Sequence, residues 1–213
     1  MPRVLLCSIL VTALTLPAIH AQEASSSTAP KHTRKPTATT FDAGSVLNGI
    51  YRNKTLALSC KIPPGWVLRT DEMNAPNEEP SDNKPAQSGA KVLLAAFSRP
   101  PEARAEDVNS SILIAAEPVS TYPGLKDAAQ YFAPLTEVAK AQGFTIDEEP
   151  YESAVGAKTL VRGDFHKDVG SRVMHQSTLA LLSHGYAISI TLIAGTEDEV
   201  EDLISSLSFG PGK

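Results

Sequence analysis

The stretch that decides the fold is residues 49–66, GIYRNKTLALSCKIPPGW. Two short apolar runs stand on either side of Asn53-Lys54, so the pattern predicts a hairpin with its turn at that pair. Pro63-Pro64-Gly65 ends the second strand, because neither proline can donate a ladder hydrogen bond and glycine accepts a positive φ. The only tryptophan, Trp66, then begins a third strand, where we expect it to bury its indole against the sheet.

The residues that follow this turn share one face of the predicted strand. Leu56, Leu58, Cys60 and Ile62 alternate along the chain, so their side chains point to the same side of a sheet. Cys60 is the only cysteine after residue 7, and its aliphatic neighbours favour a buried thiol over a reactive one. The sequence therefore predicts a core without an internal disulfide.

The first 21 residues have the features of a secretory signal peptide. Arg3 supplies a positive charge, residues 4–16 form an apolar run too short to cross a bilayer, and the small residues Ala18 and Ala21 precede the expected cleavage point. The alternative is an uncleaved amphipathic anchor. We expect cleavage after Ala21 and a secreted or periplasmic location, in a bacterial envelope.

Residues 22–40 are rich in Ser, Thr, Ala and Pro and almost free of large apolar side chains. Such a composition cannot bury enough surface to offset the entropy of ordering, so we expect a disordered linker. The linker is mildly basic through Lys31, His32, Arg34 and Lys35. The remaining residues, 41–213, are enough for a single domain with its own core.

The charge of the chain excludes one class of partner. Its 213 residues carry a formal net charge of −5, which becomes −6 once residues 1–21 and their single arginine are removed. Nucleic-acid binding needs a positive surface, so we expect no nucleic-acid partner. After cleavage no apolar run is long enough for a stable membrane span.

Residues 70–90 interrupt the strand pattern with acidic residues, asparagine and proline. A polar segment of this length within a domain is either functional or disordered. We interpret it as a loop that contacts a partner through five acidic candidate residues: Asp71, Glu72, Glu78, Glu79 and Asp82.

Most of the remaining chain has the pattern of strands. Residues 91–98 and 111–116 are expected to pair, and four further β segments cover 144–149, 157–166, 172–183 and 186–194. The last two form the clearest hairpin, because Gly185 accepts a positive φ in the two-residue turn with His184. This turn places Leu181 opposite Ile188 and Leu179 opposite Ile190.

Two helices are predicted. The first covers residues 125–142 with one apolar stripe, and Pro134 within it requires either a kink, which we favour, or a second helix with Pro134 in its first turn. The second begins at the N-cap Thr196, with Glu199 completing a capping box. Its buried stripe is expected to be Val200, Leu203, Ile204 and Leu207.

These features together resemble PsbP-like domains. The resemblance rests on the opening hairpin through Ile62-Pro63-Pro64-Gly65-Trp66, the middle helix, the hairpin with Gly185-Tyr186-Ala187-Ile188, and the closing Ser206-Leu207-Ser208-Phe209. It spans most of residues 49–209 and implies an α+β fold, an α/β/α sandwich with a central antiparallel sheet flanked by helices. Members of the superfamily serve as photosystem subunits, GTPase-binding factors of nuclear transport and bacterial envelope proteins, so the resemblance implies binding rather than catalysis.

Candidate chemical sites have simpler structural explanations. His184 is too far from His175 along the same strand for the three histidines to converge on a metal ion, and His166 and His175 remain a weaker pair that we interpret as solvated strand-end residues. The acids of residues 147–149 lack calcium-loop spacing, and those of 197–199 suit the first turn of a helix. The sequence has no nucleophile elbow, phosphate loop or zinc-protease motif. Two glycosylation acceptor patterns occur, at Asn53 and Asn109.

Two functional hypotheses follow from these observations. The preferred one is a non-catalytic domain that binds a protein or envelope component, without catalytic residues, cofactor or metal. Cys60, Trp66 and Gly185 then have structural roles. The alternative is a small-ligand carrier or a hydrolytic enzyme, which would require polar side chains converging in an apolar pocket.

Overall fold

The computed structural model describes residues 41–75, 90–103 and 107–210. The predicted signal peptide and linker lie outside the described residues, as do Glu78, Glu79 and Asp82. In chain order the described elements are β1 Ser45–Leu47, β2 Ile50–Asn53, β3 Leu58–Lys61, β4 Val67–Leu68, α1 Thr70–Asn74, β5 Lys91–Phe97, β6 Ser111–Pro118, a 3-10 turn Val119–Thr121, α2 Phe132–Ala141, β7 Thr145–Ile146, β8 Tyr151–Val155, β9 Lys158–Val169, β10 Arg172–Ser183, β11 Tyr186–Ala194, α3 Glu197–Ser205 and β12 Leu207–Phe209.

A small antiparallel sheet has the strand order β1-β2-β3-β12. Its first turn is Asn48-Gly49, and both residues have positive φ, 50° and 72°. Two positive φ angles are what a type I′ hairpin turn requires, and Asn-Gly is the sequence that most favours it. The sequence analysis overlooked this hairpin although its signal was present.

The predicted β2–β3 hairpin is confirmed, but its turn is longer than predicted. Asn53 pairs with Leu58, so residues 54–57 form the turn and not Asn53-Lys54. The Asn53 Oδ1 atom accepts a hydrogen bond from the Leu56 amide at 2.9 Å, and Leu56 is buried within the turn. Ala57 completes it with a φ of 50°, a conformation that costs a residue other than glycine some energy.

The end of the chain also differs from the prediction. Leu207 was expected to continue the buried stripe of the last helix, but α3 ends at Ser205 and Leu207 lies in β12. β12 pairs with β3, with Leu207 opposite Cys60 and Phe209 opposite Leu58. The helix and the strand bury their apolar side chains in the same core. The N-cap at Thr196 is confirmed, since its side chain accepts a hydrogen bond from the Glu199 amide.

The central sheet is antiparallel throughout, with the order β4-β5-β6-β11-β10-β9-β7 and with β8 also paired to β9. The predicted pairing of β5 with β6 is confirmed, and so is the register that places Leu181 opposite Ile188. His184 and Gly185 form the turn with φ of 52° and 80°. β8 is a separate strand that the sequence analysis did not predict.

The two faces of the central sheet are covered by different elements. One face packs against the small sheet and α3 in the main core, and the other packs against α2 in a second cluster that includes Tyr131 and Phe165. The predicted α+β fold, a central antiparallel sheet with helices on both faces, is therefore confirmed. The small sheet is an additional layer beside α3.

The predicted long helix is shorter. α2 begins at Phe132, which places Pro134 in its first turn, so the preferred kink was wrong and the alternative start is observed. Proline is tolerated there because the first helical N–H groups have no intrahelical partner. α2 packs closely on the sheet at Gly163, where a Cβ atom would lie 2.5 Å from the Phe132 ring.

Candidate functional site

An open edge runs between the two sheets. β1 is an edge strand of the small sheet and β4 is an edge strand of the central sheet, and between them lies a cleft of about 630 Å³. Its apolar lining includes Val46, Tyr51, Leu68, Val92 and Leu93. Its polar lining comes mainly from the chain just after β4: Arg69, Thr70, Asp71, Glu72 and Asn74.

A second cleft of about 470 Å³ shares Val46 and Leu68 with the first and extends to Pro64 and Trp66. We call the two clefts together the β1–β4 groove. Leu68, which lines both clefts, is 45% exposed. Within the described residues, the groove therefore presents apolar surface to solvent beside two strands that are each paired on one side only.

The expectation that Trp66 buries its indole against the sheet is met only in part. Its side chain is half-buried and packs on the rim of the main core, where it lines the β1–β4 groove. Trp66 follows the Pro63-Pro64-Gly65 corner and directly precedes β4, an edge strand of the central sheet. Cys60 is fully buried, as predicted, and it forms no disulfide within the described residues.

The polar segment begins as a helix and not as a loop. Residues 70–74 form α1, and the Arg69 guanidinium, just before it, pairs with Glu72 at 2.5 Å and with Glu102 at 2.8 Å. Asp71 and Glu72 both line the first cleft. The structure thus places two of the five predicted contact residues on the β1–β4 groove.

α1 also holds the free edge of β5. The Asn74 side chain accepts a hydrogen bond from the Val92 amide at 3.0 Å and donates one to the Val92 carbonyl at 2.8 Å. Thr70 Oγ1 accepts from the Ala95 amide at 3.0 Å, and the Arg69 amide donates to the Ala95 carbonyl at 2.9 Å. These contacts follow directly after the backbone pairing of β4 with β5.

A polar cluster lies beside α3. The Asp164 carboxylate accepts hydrogen bonds from Ser177 Oγ at 2.6 Å, Tyr151 Oη at 2.8 Å and Arg162 Nε at 2.9 Å. Arg162 also pairs with Glu201 on α3 at 2.6 Å. Burial, and then the hydrogen bond to Asp164, raise the pKa of Tyr151 above its ordinary value. These groups satisfy one another, so the cluster ties β8, β9, β10 and α3 together.

The histidines do not gather into one site. His166 and His175 lie opposite each other on β9 and β10, with Asp147 against His166 and Glu197 3.8 Å from His175. His184 is in the β10–β11 turn. Among the described residues, no group of three or more His, Cys, Asp or Glu side chains is arranged to hold a metal ion.

The two glycosylation patterns fall on side chains that the fold already uses. Asn53 is 1% exposed, and its Nδ2 atom donates to the Asp42 carbonyl at 2.8 Å and to Tyr51 Oη at 3.2 Å. Asn109 accepts from Ser98 Oγ and donates to the Arg99 carbonyl. Both amides therefore have structural roles in the folded domain.

Comparison with known proteins gives similarity in structure alone. No protein-family model matches the sequence, and no curated protein matches it. The chain resembles the solution structure of a cyanobacterial PsbP from Synechocystis, with 17% identity over 76% of this chain and 91% of that one and a TM-score of 0.46. A PsbP is thus among the proteins of similar structure, as the sequence resemblance led us to expect.

Two further solved structures are similar to the chain at lower scores. LpqN of Mycobacterium tuberculosis, a protein involved in cell envelope biogenesis, is 14% identical over 71% of this chain and 82% of its own, with a TM-score of 0.35. The Ran-binding protein Mog1p of Saccharomyces cerevisiae is 12% identical over 73% of this chain and 80% of its own, with a TM-score of 0.39. In the part of the chain that the structure describes, no helix is long and apolar enough to cross a membrane.

Proposed function

We propose that the chain is an exported, non-catalytic domain that binds a protein or another envelope component in the β1–β4 groove. The observation that carries the proposal is the apolar lining of the groove, which includes Leu68, 45% exposed, and the half-buried Trp66. Contiguous apolar surface of this kind usually marks an interaction site. Trp is also the residue type that most often contributes a large share of binding energy.

The acidic residues beside the groove support the same location. Asp71 and Glu72 line the first cleft, and Glu72 is engaged by Arg69 while Asp71 is exposed. An apolar centre with charged residues at its border is the usual composition of a protein–protein interface. We infer that the surface of the partner is apolar at its centre and neutral or basic where it faces Asp71.

Export and the absence of catalysis complete the proposal. The leader at residues 1–21 supports export to a periplasmic or secreted location. The best candidate for a chemical site is the Asp164 cluster. Its donors and acceptors pair with one another, which supports a structural role for it. The alternative function, a ligand carrier or hydrolase, remains an outcome of the test.

The test is site-specific photo-cross-linking in the native envelope. A benzophenone amino acid replaces Leu68, which lies in the groove, and in a matched control it replaces Val138 on α2, which is also apolar and 56% exposed. We expect one discrete adduct from position 68 and none from position 138. Trp66→Ala, introduced together with the probe at position 68, should weaken that adduct.

Three results would contradict the proposal. Equal adducts from positions 68 and 138 would show that the cross-linking is not specific to the groove. No adduct from position 68 would show that no partner binds there. Turnover of an ester, peptide or phosphate substrate by the purified protein, abolished by one point substitution, would establish the hydrolytic alternative instead.

A further inference from the structure

The pairing on the outer edge of β5 continues beyond the end of β4. β4 has two residues, which pair with Phe97 and Ala96. Further along the same edge, the polar backbone groups of Ala95 and Val92 are satisfied by Arg69, Thr70 and Asn74 in place of a strand. The Asn74 carboxamide offers Val92 one acceptor and one donor, which is what the peptide groups of a neighbouring strand would offer.

Among the described residues, few contacts other than these hold α1 in place. It has five residues and none of them is buried. A helix of this length is far below the 12–15 residues or so at which an isolated helix becomes marginally stable. Met73, on α1, is 47% exposed, and the Glu72 carboxylate that pairs with Arg69 is 63% exposed. Exposed ion pairs contribute little, so the hydrogen bonds to β5 are the main attachment of α1.

We propose that α1 is a displaceable cover on the β5 edge, and that an extended segment of the binding partner takes its place as an added strand. The inference rests on the proposed binding in the β1–β4 groove and specifies its mode. An incoming strand would satisfy the same groups of Val92 and Ala95, so β5 loses no hydrogen bond in the exchange. Every second side chain of the segment would face the apolar lining that Val46, Leu68 and Leu93 provide.

Another edge of the central sheet carries the features that oppose strand addition. β7 runs directly into Asp147-Glu148-Glu149-Pro150. Charged side chains and proline are the usual protection of a sheet edge, because they disfavour pairing with another chain. The β5 edge lacks charges and proline between Val92 and Phe97 and is protected by α1 instead. A cover that can leave permits regulated pairing, whereas charges and proline prevent it permanently.

The test uses a defined peptide and two variants of the full mature chain. The probe is a fluorescein-labelled seven-residue peptide of alternating Thr and Val, which favours the strand and carries no charge. Thr70→Val with Asn74→Leu removes the side-chain hydrogen bonds to β5. Met73→Ala is the control, because it changes an exposed α1 side chain and none of those bonds.

We expect the double variant to bind the peptide at least tenfold more tightly than the wild type, because apparent affinity rises with the fraction of uncovered edge. A tenfold change corresponds to about 1.4 kcal/mol. Met73→Ala should bind as the wild type does. In hydrogen exchange, the Val92 and Ala95 amides should exchange faster in the free double variant and become protected when the peptide binds.

Equal affinity in all three proteins, the absence of binding to any of them, or binding without protection of the Val92 and Ala95 amides would overturn the inference. So would weaker binding by the double variant, which would make α1 part of the site. If the double variant does not fold, Asn74→Ala alone repeats the test at an exposed position. Cross-linking from position 68 is scored separately, so strand replacement can fail while binding in the groove stands.

Discussion

Asp164→Ala tests whether the polar cluster beside α3 stabilises the domain. The substitution removes the acceptor of three side-chain hydrogen bonds, from Ser177, Tyr151 and Arg162. Ser177 is fully buried, so its unpaired hydroxyl alone should cost about 1–3 kcal/mol. Arg162 keeps its pair with Glu201, which limits the loss at that residue. We expect a total loss of about 3 kcal/mol in the free energy of unfolding, a large part of the roughly 5–15 kcal/mol of a typical domain.

Urea unfolding at neutral pH measures this loss. With a slope of about 2 kcal/mol/M, the midpoint should fall by about 1.5 M without a change in slope. Asp164→Asn, which keeps one acceptor oxygen and the size of the side chain, should lose clearly less. Glu201→Gln is a second control, because that side chain is 55% exposed and its ion pair should contribute no more than about 1 kcal/mol.

A gain in stability on Asp164→Ala would refute the reasoning. The cavity beside the cluster is also lined by Asp147, Glu197 and Asp198. A stabilised variant would mean that the Asp164 carboxylate is held against the repulsion of these acids, as happens where function is favoured over stability. The polar cavity would then replace the β1–β4 groove as the candidate site.

Three further predictions concern single residues. Burial raises the pKa of the Cys60 thiol from 9.0 to about 11, so a thiol reagent at pH 8 should label it only after denaturation. Because the folded state favours the neutral thiol, the contribution of Cys60 to stability should be complete below about pH 9 and lost as the pH rises through about 11. Cys60→Ala should reduce this decline in stability. Gly163→Ala should lower the free energy of unfolding by about 1–3 kcal/mol, because the new Cβ would lie 2.5 Å from the Phe132 ring. Adding Phe132→Leu to the same chain should recover part of this loss. If the losses of the two substitutions add, the clash is not the cause. Trp66→Ala should lower the free energy of unfolding by about 1–2 kcal/mol, less than the 3–5 kcal/mol or so that truncation of a fully buried Trp costs. A variant that fails to fold would show that the indole belongs to the core.

Elements fixed by local chemistry could be predicted from the sequence. The His184-Gly185 turn allows one register, so the whole β10–β11 pairing follows from two residues. Thr196 and Glu199 likewise define the start of α3, because the cap involves neighbouring residues only. Cys60 could be placed in the core because strand alternation needs no knowledge of the rest of the fold.

Elements that depend on distant parts of the chain could not be predicted. Leu207 continues a helical pattern, and only the free edge of β3 makes it a strand residue. The β1–β4 groove has the same origin, since Val46 and Leu68 belong to different sheets and meet only in the folded domain. The one local signal for it was Asn48-Gly49, which predicts the β1–β2 hairpin and hence an edge strand beside the groove.

The position of β3 has a consequence for the biosynthesis of the protein. β3 pairs with β2 on one side and on the other with β12, at Leu207–Phe209. The small sheet therefore cannot close until residues 207–209 have been synthesised. Pairing between such distant segments is also slow, because a long loop must be ordered first. A nascent chain that folds late stays unfolded long enough to pass through a membrane channel. Late folding therefore suits the export that residues 1–21 predict.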